Sequence, residues 1–166
     1  MTVRPLRLLG DPVLRTPCDR VLRFDAALAR LVEDLMDTVQ EPGRAGLAAS
    51  QIGSGLAVFS YDVDGQLGYV INPEVVEVSG SQEGPEACLS IPGVSAIRPR
   101  AARAVVTGVD LGQQPVVVAG TGELARCLQH ETDHLRGELY IDGLTGPERR
   151  AVLRELRQRS GTGVSS

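Results

Sequence analysis

Across residues 25–41 the apolar positions Leu28, Leu31, Val32, Leu35, Met36 and Val39 recur at spacings of three and four, the period of one helical face. Asp25 can accept from the first free N–H groups and Pro42-Gly43 stops the run, so a core-facing helix is predicted there. Before it, residues 1–21 read as an irregular arm with prolines at 5, 12 and 17 and a turn at Gly10-Asp11-Pro12. Leu6, Leu8, Leu9, Val13, Leu14 and Leu22 are predicted to pin this arm to the body. After the helix the pattern becomes strand-like. Residues 56–60 and 68–71 are predicted strands joined at Asp62-Val63-Asp64-Gly65; Asn72-Pro73 breaks the second, and Val75, Val76 and Val78 resume it. Residues 80–84 form a polar loop, and 104–110 with 115–119 a hairpin around Leu111-Gly112-Gln113-Gln114. A second helix covers 122–136 and ends at Gly137. Thr145 and Glu148 form a capping box around Pro147 that opens a last helix running to about Arg159, with fraying from Gly161 onward. No repeat and no second unit is visible, so residues 1–166 are expected to form one domain.

Charge and composition narrow the partners. The net charge is -4 and aromatics are only 3% of the chain with no Trp, which argues against DNA and against a stacking platform for single strands. All 17 basic residues are arginine. No apolar run reaches the length of a membrane span, and the first ten residues do not read as a signal peptide. Three cysteines without a CxxC make a disulfide framework improbable and point to a reduced, cytoplasmic setting.

The sequence holds two histidines, His130 and His134, both on the second predicted helix. Positions i and i+4 share a helical face, so the two imidazoles can hold one metal ion, and Glu131 beside them can manage a water proton. A catalytic metal of this kind takes a third protein ligand. With no third histidine, the candidates include the three cysteines. Cys88 lies between a polar loop and Pro92-Gly93, where its side chain can be aimed at another element; Cys127 is one turn before His130 and awkward for completing the set; Cys18 lies in the irregular arm. Residues 43–55 are rich in glycine and alanine and allow close backbone approach, with Gln51 as a polar side chain in their midst. The ordinary reading of Gln51 is a connector residue satisfied by backbone groups.

Three stretches together resemble the bacterial peptide deformylase family. Arg44-Ala45-Gly46-Leu47-Ala48-Ala49-Ser50-Gln51 is similar to its GxGLAAxQ segment, Glu86-Ala87-Cys88-Leu89-Ser90 to its EGCLS segment, and Gln129 through Gly137 to its QHExDHLxG segment. Residues 9–15 also resemble the family's N-terminal stretch. The resemblance implies an α+β fold of small antiparallel sheets packed around a central metal-binding helix, with one helix nearer each end. It implies metal ligation by Cys88, His130 and His134, Glu131 as general base and acid, and Gln51 with the Leu89 N–H as oxyanion donors. It implies a substrate cleft touched by Ala45, Gly46, Glu86, Ala87, Glu123, Arg126 and Cys127. The implied reaction removes formate from N-formyl-methionyl nascent peptides, using one divalent ion, Fe(II) in the cell with Zn(II) or Ni(II) able to replace it.

The chain departs from that pattern at three places. Arg44 replaces a glycine and is expected to point to solvent more readily than to line the cleft. Ala87 replaces the glycine before Cys88, a strain only if that position needs positive φ. Glu123 and Arg126 are charged where the family walls an apolar pocket; they form either an ordinary surface couple or a change in substrate affinity. The last helix carries Arg149, Arg150, Arg154, Arg157 and Arg159, a solvated face or a transient contact with ribosomal RNA. Beside an active deformylase stand two alternatives, a relative with altered acyl substrate or weak activity, and a non-catalytic metal-bound interaction protein. Glu131 favours catalysis, because a binding protein has no physical need for it.

Overall fold

A computed structural model describes residues 2–162. Three helices, α1 (Ala26–Val39), α2 (Gly122–Leu135) and α3 (Gly146–Thr162), are combined with seven strands: β1 (Gly46–Ala48), β2 (Val58–Val63), β3 (Gln66–Ser79), β4 (Pro85–Cys88), β5 (Ile91–Ile97), β6 (Arg103–Val109) and β7 (Pro115–Thr121). Five strands form one antiparallel sheet in the order β1-β2-β3-β6-β7, and β4 and β5 form a separate hairpin. This is the expected α+β arrangement, with α2 between the sheet and the hairpin.

The two faces of the large sheet are covered by different helices. Phe59, Val70, Ala104, Val106 and Val118 pack with Leu124, Ala125 and Leu128 of α2. Val58 and Ile71, each next to a residue of the first set, pack instead with Leu28, Val32, Leu35 and Val39 of α1. Strands buried on both faces lose the polar alternation that marks a half-exposed strand. This explains why β1, whose three residues are all buried, escapes a reading by periodicity. A third apolar cluster joins Ile91, Val94 and Ala96 of the hairpin to Leu139, Tyr140, Ile141 and, on α3, Val152.

Asp25 caps α1, its Oδ1 accepting from the Leu28 N–H at 3.0 Å. Asp64 and Gly65 both take positive φ in the two-residue turn between β2 and β3, as a type I′ hairpin requires. Asn72-Pro73 does not end a strand as expected. Asn72 takes φ 53°, the pairing with β6 shifts register there, and β3 continues. The Asn72 side chain offsets the lost pairing at this bulge by bonding to Val21, accepting from its N–H at 2.8 Å and donating to its carbonyl at 3.0 Å. The 85–97 hairpin is not readable as strand from its pattern.

The N-terminal arm is pinned chiefly by its backbone. Leu14 is buried and Leu6 and Leu9 pack partly, but Leu8 and Leu22 are exposed, against expectation. The Arg7 N–H donates to the Gln51 carbonyl at 2.7 Å, Leu9 N–H to Ser90 O at 2.9 Å, and Cys18 N–H to Leu135 O at 2.8 Å. The capping box expected at Thr145 is replaced by a longer reach: Glu148 Oε2 accepts from the Ile97 N–H at 3.2 Å, tying α3 to β5. Helix α3 continues to Thr162, past the expected start of fraying at Gly161; the rest of that tail lies outside the described residues.

Gly137 ends α2 at φ 77°, and a Cβ there would lie 2.7 Å from the Arg15 carbonyl oxygen. Both the left-handed backbone and the contact with the arm exclude a side chain. Gly137→Ala is expected to lower unfolding stability by more than about 1 kcal/mol, measured as a reduced urea midpoint at unchanged slope.

Candidate metal centre and its cleft

Helix α2 lies with one side buried under the sheet and the other under the hairpin. His130 and His134 fall on the hairpin side, one turn apart. Strand β4 alternates exposed and buried positions, so Glu86 and Cys88 both turn toward α2. The result brings His134 Nε2 to 3.1 Å from His130 Nε2 and 3.3 Å from Cys88 Sγ. One ligand atom from each of Cys88, His130 and His134 lies within 4.8 Å of the others. Two imidazole nitrogens and one sulfur converging at this scale suit a borderline divalent cation such as Zn(II) or Fe(II). Burial is the largest influence on His134 and holds it well below the usual imidazole range, which favours the neutral ring with a lone pair.

Behind His130 stands a buried ion-pair network. Glu86 Oε2 faces His130 Nδ1 at 2.8 Å. The same carboxylate receives Arg100 in a fork, Nη2 to Oε2 at 2.6 Å and Nε to Oε1 at 2.8 Å, and Arg126 Nη1 to Oε1 at 2.8 Å. Arg100 Nη1 also reaches Asp133 Oδ2 at 2.7 Å, and Arg136 bonds the other oxygen of Asp133. Burial alone would raise the Glu86 carboxyl, but Arg100 and His130 hold it well below the carboxylate range. With Glu86 ionised, its Oε2 accepts from His130 Nδ1 and leaves Nε2 toward Cys88 and His134.

Glu131 is buried beside the cluster, Oε2 4.0 Å from His130 Nε2. Its Oε1 and His134 Nδ1 are both buried without a hydrogen-bond partner. Burial, opposed by His130 and reinforced by Glu86 and Asp133, pushes Glu131 up to about 7. A carboxyl poised near neutrality can both take and return a proton. Gln51 is oriented from within its own segment. Its Oε1 accepts from the Ala48 N–H at 2.9 Å, which turns Nε2 toward Ser90 Oγ at 3.1 Å and Cys88 Sγ at 3.7 Å.

These groups border a cleft of about 710 Å³ whose walls include Ala45, Gly46, Ala87, Leu89, Glu123 and Cys127. Cys127 is separate from the three converging ligands. Its Sγ points to the Ala45 carbonyl at 3.4 Å, and burial, with Glu131, Glu123 and Glu86, holds its thiol well above the usual range. Ala87 lacks the positive φ that would have strained it. Arg44 neither lines the cleft nor points to solvent: its Nη1 donates to Thr38 O at 2.8 Å near the end of α1. The expected Glu123–Arg126 surface couple is also absent. Glu123 is exposed at the mouth, whereas Arg126 is 5% exposed and turns inward to Glu86, because the hairpin offers it a buried carboxylate. Glu86, expected beside the substrate, borders the cleft and directs both oxygens to Arg100, Arg126 and His130.

A sequence model of the family "Polypeptide deformylase" matches residues 3–150. The chain belongs to the peptide deformylase family. It is 48% identical over 163 residues to a peptide deformylase of Acidothermus cellulolyticus, covering 98% of this chain and 91% of that one. It is 49% identical to peptide deformylase 2 of Streptomyces coelicolor, covering 95% and 92%. The crystal structure of a peptide deformylase from Legionella pneumophila superposes with a TM-score of 0.88 at 34% identity, over 99% of each chain. That from Thermus thermophilus gives 0.87 at 39% identity, over 94% of each. Within this deformylase fold, pattern reading missed Arg100, Asp133, Ser90 and the backbone of the arm. Asp133 at least lies inside the histidine motif; Arg100 and the arm carry no periodic or compositional mark.

Gly46 sets how closely β1 approaches α2. A Cβ there would lie 2.5 Å from Glu131 Oε2 and 2.7 Å from Cys127 Sγ. Gly46→Ala is expected to displace Glu131 and cut kcat by about a hundred-fold while leaving the far-ultraviolet circular dichroism unchanged; steady-state formate release checks it.

Proposed function

We infer that this chain is a hydrolase that removes the formyl group from the N-terminal formylmethionine of nascent polypeptides. The observation that carries this reading is the Cys88, His130 and His134 cluster with the open Oε1 of buried Glu131 beside it. The donor set and the ionised Glu86 behind His130 fit a divalent metal held by those three residues. When bound, such an ion supplies Lewis acidity, acidifying a water and polarising a carbonyl. Fe(II) is the cation proposed for the cell, with Zn(II) or Ni(II) as replacements.

The protein's own groups do the rest. Glu131 Oε1 takes the proton of the attacking water and delivers it to the departing amine, which its environment near neutrality allows in both directions. Gln51 Nε2, held in place by the Ala48 N–H, donates to the oxygen on which charge develops, and the Leu89 N–H is its proposed partner. Ala45, Gly46, Ala87, Glu123 and Cys127 give the walls against which the formylmethionyl end rests. A non-catalytic role would leave a buried carboxyl without a partner at a cost and without a use.

No helix among the described residues is long and apolar enough to cross a membrane, and cytoplasmic action on emerging chains is the proposed setting. Five arginines against two glutamates, with every arginine exposed, make α3 a basic face suited to a transient contact with ribosomal RNA.

The deciding test is formate release from formyl-Met-Ala-Ser by Ni(II)-loaded protein. Glu131→Ala is expected to lower kcat by about 10²–10⁴-fold with one metal still bound; equal rates in the two proteins would refute the assignment of the base. The basic face predicts cosedimentation with ribosomes that weakens steeply with added salt; absent or salt-insensitive binding would remove it.

A further inference from the structure

Arg126 faces the cleft from α2, yet its charge is directed elsewhere. A single nitrogen, Nη1, donates to Glu86 Oε1 at 2.8 Å on β4 and to the Arg98 carbonyl at 2.7 Å just beyond β5. The Arg98 N–H in turn donates to the Gly84 carbonyl at 3.0 Å, closing the base of the same hairpin. Arg126 therefore ties both legs of the hairpin to the helix. Two positions along β4 from Glu86, on the same inward side, is Cys88.

The arrangement is poor as a device for stability. Arg126 Nη2 is buried without a partner. Glu86 already has a two-bond fork from Arg100 and a contact to His130, so the carboxylate is paired without a third cation. The guanidinium is better explained by geometry: it saturates Glu86 Oε1 together with Arg100 Nε, which leaves Oε2 for His130 Nδ1 and Arg100 Nη2.

We propose that Arg126 is a positioning residue which, by bridging Glu86 and the Arg98 carbonyl to α2, holds the Cys88 strand in place against the helix of His130 and His134. This rests on the reading of those three residues as metal ligands. It assigns the charge at this position to the metal centre, where the resemblance alone suggested a disturbed pocket wall. Groups behind metal ligands, when removed, typically weaken metal retention by about ten- to a hundred-fold.

The test uses Zn(II)-loaded full-length protein and a chromogenic chelator. Arg126→Met, which restores an apolar wall of similar length, is expected to release Zn(II) about ten-fold faster, with the far-ultraviolet circular dichroism of the metal-free protein unchanged. In Ni(II)-loaded protein kcat falls as metal is lost, while KM for formyl-Met-Ala-Ser moves less than about two-fold, because on this reading the residue supports the metal ligands and not the substrate. Arg126→Lys keeps the charge without the planar fork and is expected to release at an intermediate rate. Wild-type release rates in Arg126→Met with an altered KM would overturn the proposal and leave Arg126 as a pocket wall. Should Arg126→Met fail to fold, wild-type release by Arg126→Lys would overturn it equally. A wild-type chain that takes up no Zn(II) would defeat the metal reading itself, and this proposal with it.

Discussion

The buried carboxylate of Glu86 is the constraint on which the centre depends. An ionised side chain at 4% exposure has lost its water, and only full pairing makes that tolerable. The pairing is drawn from separate parts of the chain: Arg100 after β5, and Arg126 and His130 on α2. Removing the carboxylate itself would strand its buried partners and commonly costs about 3–5 kcal/mol, so the hairpin and helix cannot drift apart cheaply. Because His130 is itself one of the partners, the electrostatic solution for Glu86 also fixes which nitrogen of His130 faces the cluster.

Around that anchor the packing is divided by function. One side of α2 serves the large sheet through Leu124, Ala125 and Leu128. The other side carries the polar chemistry and is roofed by the hairpin. The N-terminal arm completes the enclosure through main-chain bonds to Gln51 and Ser90, two residues that meet at 3.1 Å between Nε2 and Oγ. A segment without regular structure thus sets the spacing between the proposed oxyanion donor and the loop after Cys88.

Much of this is legible in the amino acids, for physical reasons that differ by element. Helix α1 declares itself because only one of its faces is buried, and the histidine motif because its residue types are chemically rare and closely spaced. Strand β1 and the 85–97 hairpin do not. The first is buried on both faces; the second alternates small, polar and proline positions whose burial depends on α2 and the 139–141 segment. Asn72-Pro73 looks like a break because the compensating bonds come from Val21, 51 positions away. The inward turn of Arg126 is hidden for the same reason: its i−3 neighbour Glu123 is visible in sequence, whereas its true partner lies 40 positions off. Local charge pairs can be read; choices among distant carboxylates need the fold.

Covering both faces of β1 and the start of β2 weakens the specification of their register. Where Val58 and Phe59 each enter an apolar layer, sliding β2 by one residue would exchange two hydrophobic side chains rather than expose one to water. Hydrophobicity therefore discriminates weakly between the correct alignment and its nearest competitor. Alignment information resides in non-repeating features, the tight Asp64-Gly65 reversal and the Asn72 amide locked to Val21. Variation in these unglamorous turn residues should be felt less as lost stability than as mispaired strands during folding, far from any atom that touches the substrate.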